Sequence, residues 1–138
     1  MIQRLNELIM IEASKINYTV SDHAPDTFND LIENSQGTLT VWAGASDNTI
    51  YGDPTVNHAF RAWHDHIHLR YGLGFTIPEE IEVAKIQASI LPDRLGDIIL
   101  AEVAGQANYL KEHGHFPEDQ KAFINQYLTD LWGFKVSI

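Results

Sequence analysis

The chain has 138 residues, of which 44% are hydrophobic, and this supplies enough apolar material for a single compact domain over residues 1–138. The absence of cysteine excludes disulfides, thiolate nucleophiles and every cysteine-containing zinc site. A formal net charge of -10 at pH 7, with no cluster of lysine and arginine, argues against ordinary binding to nucleic acid.

Hydrophobic periodicity predicts a mainly α-helical bundle of about five to six helices with a small two-stranded β element. Asp53 and Pro54 form an N-cap and N1 pair that opens the third helix. Thr76 and Glu79 have the spacing of a capping box, which marks the start of the fourth helix. The predicted helices cover residues 2–16, 25–34, 54–71, 77–91, 93–113 and 117–132.

The β element is predicted between the second and third helices. Residues 38–42 alternate in character and are rich in β-branched and aromatic side chains, which is typical of a strand. Residues 49–51 are a weaker strand that would pair with it as a hairpin across residues 44–48. Trp42, Trp63 and Trp132 all lie in apolar patterns, and we predict that they are core residues.

Four of the seven histidines lie within residues 58–68, in the third predicted helix. Helical periodicity places His64 and His68 on one side, beside the apolar stripe, and turns His66 toward solvent. Two imidazoles at positions i and i+4 converge on one point, as they do when a helix holds a divalent metal ion. We therefore predict that His64 and His68 are metal ligands; the alternative is that they only form hydrogen bonds at a helix interface.

Two carboxylates on later helices are candidates to complete this site. Glu80 borders the apolar stripe of the fourth helix, and Glu102 lies among core-type residues, where a charge must be paired, protonated or metal-bound. Either one would serve as third ligand or as general base. The assignment to be tested places Glu80 on the metal and gives Glu102 and Asp65 catalytic roles. A salt bridge to Arg61 or Arg94 is the alternative for Glu102.

Two histidines and one carboxylate suit a single divalent Zn, Fe or Mn ion and favour hydrolysis or oxygen chemistry. The adjacent His64 and Asp65 also allow comparison with the HD family of helical phosphohydrolases. That family uses a histidine, a His-Asp doublet and a later aspartate around a metal. The matching positions would be His23 before the doublet and Asp97 or Asp130 after it. The two arrangements differ because an HD site uses residues 64 and 65 together, whereas the i,i+4 site uses 64 and 68.

The motif Ala45-Ser-Asp-Asn-Thr-Ile-Tyr-Gly-Asp-Pro54 is followed by Phe60-Arg-Ala-Trp-His-Asp65 and His68. This combination resembles an uncharacterised family of small phage and prophage-associated proteins. The resemblance covers about the middle half of the chain and implies a bacteriophage origin, but it carries over no activity and no catalytic residue.

That resemblance makes an interaction protein the main alternative to an enzyme. Such a protein would bind a host or phage partner, or assemble with itself, while its histidines served only as structure. The chain has no apolar run of about 18 residues and lacks the features of a signal peptide, which predicts a cytoplasmic location and no membrane contact.

Overall fold

Six helical stretches, one of them containing a π segment, account for most of the chain in the computed structural model, which describes residues 1–138. The predicted mainly α architecture with a small two-stranded β element is confirmed. None of the helices combines the length and apolar character needed to cross a membrane. In chain order the elements are α1 (Ile2–Ala13), β1 (Tyr18–Ser21), α2 (Phe28–Asn34), β2 (Leu39–Trp42), α3 (Pro54–Tyr71), α4 (Ile77–Ile90), α5 (Leu95–Leu100), the π segment (Ala101–Gly105), α6 (Gln106–His113) and α7 (Gln120–Trp132).

The pairing of the two strands differs from the predicted hairpin. β2 pairs with β1 in parallel, with Tyr18 opposite Leu39, and α2 forms the connection between them. Residues 49–51 do not form a strand, so the hairpin prediction is wrong. All three of these residues are buried, and the carbonyl of Tyr51 accepts a hydrogen bond from Nδ2 of Asn6 at 2.9 Å. Burial of successive side chains is incompatible with a strand exposed on one face.

Most helix ends follow the capping signals of the sequence, but α1 ends at Ala13 rather than at residue 16, and α7 begins at Gln120, after the N-cap Asp119, rather than at residue 117. Asp53 accepts a hydrogen bond from the backbone N–H of Thr55 at 2.9 Å, and α3 ends at Gly72, whose φ of 65° is left-handed. α2 begins at Phe28, because Thr27 acts as its N-cap and accepts from the backbone N–H of Asp30. The segment from residue 25 to 27 is therefore outside the helix that was predicted to include it.

The hydrophobic core lies between α1, α3, α4, α5 and α7. Trp63 belongs to this core with 2% of its surface exposed, and Leu5 and Ile9 of α1 are fully buried in the same core. Trp132 is partly buried at the edge of the core, whereas Trp42 is 47% exposed, so the prediction of a core role for Trp42 is wrong. Trp42 is the last residue of β2, and its ring instead lies against the guanidinium of Arg61, 5.2 Å from ring centroid to guanidinium carbon.

Residues 93–113 were predicted as one uninterrupted helix, but the helix begins at Leu95 and the structure inserts the π segment between α5 and α6. A π turn holds one residue more than an α turn and changes the direction of the side chains that it carries. Glu102 is one of those side chains. Gly105 closes the segment, and a Cβ at this position would lie 3.1 Å from the ring of Tyr127 on α7.

Candidate metal centre

The candidate centre is formed where α3 packs against α4. The loop between these helices is fixed by the predicted capping box, because Oε1 of Glu79 accepts from the hydroxyl of Thr76 at 2.7 Å. Oε2 of Glu79 also accepts from the backbone N–H of Gly74 at 2.6 Å. This short, constrained loop brings Glu80, in the first turn of α4, beside the histidines of α3.

His64, His68 and Glu80, hereafter the triad, bring their ligand atoms within 4.8 Å of one another. The Nε2 atoms of His64 and His68 lie 3.1 Å apart. Each faces a different oxygen of Glu80, His64 at 2.9 Å from Oε2 and His68 at 3.2 Å from Oε1. The His68 side chain is 1% exposed, His64 is 14% exposed and Glu80 is 25% exposed, so the triad is shielded with access from the Glu80 side.

Hydrogen bonds at the other ring nitrogens determine which atoms of the triad are free. Nδ1 of His68 lies 2.8 Å from the carbonyl of Leu73, which only accepts, so Nδ1 carries the proton. Nδ1 of His64 lies 2.7 Å from Oε1 of the fully buried Gln87 and donates to it in the same way. In the neutral imidazoles both Nε2 atoms are therefore unprotonated. They direct their lone pairs toward each other and toward Glu80.

Positive charge at this point would satisfy the facing acceptors. Protons on Nε2 of His64 and His68 would donate to Oε2 and Oε1 of Glu80 respectively. A metal ion held by the same three side chains would also satisfy these atoms. Adjacent donors around a tetrahedral or octahedral ion with bonds of about 2.0–2.1 Å are separated by about 2.8–3.4 Å. The distances of 2.9, 3.1 and 3.2 Å within the triad match that separation closely.

The charges in the triad reinforce one another. Burial alone would raise the pKa of Glu80, but the hydrogen bonds and positive charge that His64 and His68 supply when they are protonated on Nε2 outweigh it and lower that pKa to about 2. Burial would lower the pKa of His64, but the hydrogen bond and charge of Glu80 outweigh it, with help from Asp65 and Gln87, so the pKa is raised. Glu80 therefore remains ionised, as a metal ligand must be.

Comparison with protein-family models, with curated proteins and with solved structures gave no match. Functional assignment consequently rests on the geometry of the chain itself.

A cavity of about 510 Å³ adjoins the triad, and Glu80 forms part of its wall. Glu102 reaches the same cavity from the π segment, so the structure places both predicted carboxylates around one space. Glu102 is not within the triad, and its carboxylate accepts from Nε2 of Gln106 at 3.0 Å. Burial raises the pKa of Glu102 to about 7, against the opposing effects of Arg61 and of the Gln106 hydrogen bond.

The alternative of a direct salt bridge for Glu102 is not realised. Nη1 of Arg61 instead donates to the backbone carbonyls of Trp42 and Gly44. Arg94 lies over the rings of Trp132 and Phe134, each centroid 5.2 Å from its guanidinium carbon. Glu102 is therefore a partly buried carboxyl group without an ion-pair partner.

Asp65 lies outside the triad, although it follows His64 in α3. Burial raises the pKa of Asp65 to about 6, and the histidines of the triad oppose that rise. Its carboxylate forms no hydrogen bond or salt bridge in the structure, and it does not line the cavity. His66, the histidine predicted to face solvent, is partly buried and also lies outside the triad.

The arrangement of an HD phosphohydrolase is not formed. His23 lies in the loop after β1, beside Asp26 and Asp30. Asp97 accepts a hydrogen bond from Nε1 of Trp132 at 2.8 Å, and Asp130 accepts from Gln126. None of these three residues joins His64.

The sequence did not predict the residues that surround and orient the two imidazoles. Gln87 and the carbonyl of Leu73 orient the imidazoles, and Phe60 stacks on His64 with ring centroids 5.7 Å apart. The available signal for Gln87 was an amide seven residues after Glu80, on the same face of α4. Residues two helical turns apart share a face, so both reach the same partner on α3.

Proposed function

We propose that this protein binds one divalent transition-metal ion through His64, His68 and Glu80 and uses it for hydrolysis. The observation that carries the proposal is the convergence of the two Nε2 atoms and the Glu80 carboxylate, with both Nδ1 atoms held as donors to fixed oxygens. Oxygen acceptors at Nδ1 are the usual outer partners of metal-binding histidines. Three protein ligands leave positions for water or substrate, which distinguishes a catalytic site from a closed structural one.

Glu102 is assigned the proton-transfer role in this proposal. It lines the cavity together with Glu80, and a pKa of about 7 allows a carboxyl group both to accept and to donate a proton near neutral pH. An ion in the triad would supply an acidified water molecule and polarise the bond to be cleaved. Asp65 has no place at the cavity, so the proposal assigns it no contact with substrate.

Elemental analysis of the untagged protein tests the proposal directly. We expect about one equivalent of Zn, Fe or Mn per chain after purification or reconstitution. His64→Ala, His68→Ala and Glu80→Gln should each lose it. His66→Ala is the matched control, because His66 lies on the same helix outside the triad, and it should retain the metal. No bound metal after reconstitution with all three ions would refute the proposal.

The same measurement separates the enzyme from the alternative interaction protein of phage origin. In that alternative the triad is only a hydrogen-bonded network, and the histidine variants change stability without any metal to lose. A cytoplasmic location is part of the proposal in either case, since a chain without cysteine suits a reducing compartment.

A further inference from the structure

The cavity beside the triad has features that the metal site does not explain. It is lined by fifteen residues, nine of them hydrophobic, and its volume of about 510 Å³ lies in the range that encloses a small organic molecule. Three aromatic side chains of its wall are exposed, Trp42 at 47%, Phe75 at 37% and Phe116 at 54%. Exposed aromatics gathered at the mouth of a concave site mark a surface that binds apolar groups.

Arg61 is the only cationic residue in the cavity wall. It precedes His64 by three positions on α3, so the two side chains are neighbours on the helix surface. Its hydrogen bonds to protein both pass through Nη1, which donates to the carbonyls of Trp42 and Gly44. The guanidinium is thus fixed in place, while Nε and Nη2 have no protein acceptor and are available to a ligand. A guanidinium held in this way matches the geometry of a carboxylate.

The charge of the wall depends on the metal. Arg61, Glu80 and Glu102 are its only charged residues, so without an ion the wall carries one net negative charge when Glu102 is ionised. A divalent ion reverses this to one net positive charge, and protonation of Glu102 adds one more. The metal-loaded cavity therefore favours a single negative charge and an apolar body, whereas the metal-free cavity with Glu102 ionised disfavours an anion.

We propose that the substrate or ligand of this cavity is a small monocarboxylate with an apolar body, whose carboxylate is bound by Arg61 next to the triad. The apolar part of this ligand packs against Phe60, Phe75 and Val103 and extends toward the mouth of the cavity, where the exposed aromatic side chains lie. This inference rests on the proposed metal site, because it is the ion that makes the cavity positive.

Calorimetric titration of the metal-loaded protein with phenylacetate and octanoate tests this inference, with phenylacetamide and octanamide as uncharged matches. Metal content is measured first on the same sample. We expect each acid to bind at least about tenfold more tightly than its amide. Removal of the metal should lower the affinity for the acid by at least about tenfold. Arg61→Met should abolish the preference for the acid and retain the metal. Arg70→Met is the matched control, because Arg70 is exposed on the same helix, and it should bind like the original protein.

Each outcome decides one of the two proposals. Stoichiometric metal with equal binding of acid and amide, or with no binding of either, overturns the monocarboxylate inference and leaves the metal site standing. A protein that retains no metal overturns the proposed function, and the inference fails with it. If Arg61→Met does not fold, Arg61→Lys replaces it. That variant keeps the charge but loses the bidentate donor geometry of the guanidinium. We expect it to lower the affinity for the acid by at least about threefold.

Discussion

Nε2 of His68 lies 3.2 Å from Oε1 of Glu80, and the carbonyl of Leu73 holds the proton of the same ring on Nδ1. Two acceptor atoms are thus held face to face in a site that is almost closed to solvent on the histidine side. An uncompensated contact of this kind is unfavourable, so positive charge at this point stabilises the folded protein. Protons and a metal ion compete to supply that charge.

That competition predicts a pH-dependent metal affinity. Although burial opposes it, the Glu80 carboxylate raises the pKa of His64, so protons occupy the site up to a higher pH than they would at a free imidazole. Metal binding must displace those protons. Below the raised pKa, affinity should fall by about tenfold per pH unit for each proton displaced. Competition with a chelating indicator at several pH values measures this, and an affinity that does not change with pH would contradict the prediction.

Gln87 should control metal affinity more than stability. Its Oε1 orients His64, while its buried Nε2 has no hydrogen-bond partner. Gln87→Met removes the acceptor and the unpaired donor together, so their effects on unfolding partly cancel. We expect a change of less than about 1 kcal/mol in the free energy of unfolding, and a loss of about 10–100-fold in metal affinity.

Gln87→Glu is the matched variant, because it keeps an oxygen acceptor for Nδ1 of His64 in a side chain of nearly the same shape. It should retain metal at least as well as the original protein. Equal losses of metal in both Gln87 variants would show that side-chain volume, and not the orientation of His64, determines affinity at this position.

Glu102 should make the protein less stable as pH rises. Burial raises its pKa to about 7 in the folded chain, so the folded state holds this proton more tightly than the unfolded state does. The stability that the protonated carboxyl contributes is complete below the unfolded pKa of about 4.3 and is lost as pH rises toward about 7. We expect a loss on the order of 2 kcal/mol across this window, measured by urea unfolding.

Glu102→Gln isolates this effect, because the amide keeps the shape and does not titrate. His64 changes stability in the same direction, since its raised pKa favours the folded state at low pH, and this contribution is present in both proteins. The difference between the two curves therefore reports Glu102 together with its charge interaction with His64. Parallel curves for the original protein and the variant would mean that this carboxyl is already ionised in the folded chain.

The parts of this fold that sequence predicted are those fixed by local periodicity. The helical periodicity of α3 predicted that His64 and His68 share one side of the helix and that His66 does not. The position of Glu80 beside an apolar stripe predicted that it lies on the face of α4 that meets them. What sequence did not predict depends on contacts between distant segments. The parallel pairing of β1 with β2 joins strands about twenty residues apart, and no turn motif announces such a pairing.

The same limit applies to the cavity. Trp42 has the apolar pattern of a core residue, and only its position at the end of β2 beside Arg61 exposes it at the mouth. The π segment follows no sequence signal that distinguishes it from an ordinary helix, yet it sets the direction of Glu102. Helical phase identified Glu102 as facing inward, but the space that it faces became visible only once α4, α6 and β2 were assembled.

Gly96 allows α4 and α5 to pack in close contact. A Cβ at position 96 would lie 2.7 Å from the backbone carbonyl of Ala88, which cannot move without displacing α4. Gly96→Ala should therefore destabilise the protein by about 1–3 kcal/mol, in spite of the better helix propensity of alanine.

Gly105→Ala is the matched variant. Its Cβ would meet only the rings of Tyr127 and Phe123, at 3.1 and 3.3 Å, and side chains yield more readily than backbone, so a smaller loss is expected. Because the triad lies wholly on α3 and α4, both variants should keep their metal. Thermal unfolding and metal content measure the two effects, and loss of metal in Gly96→Ala would show that α5 supports the triad itself.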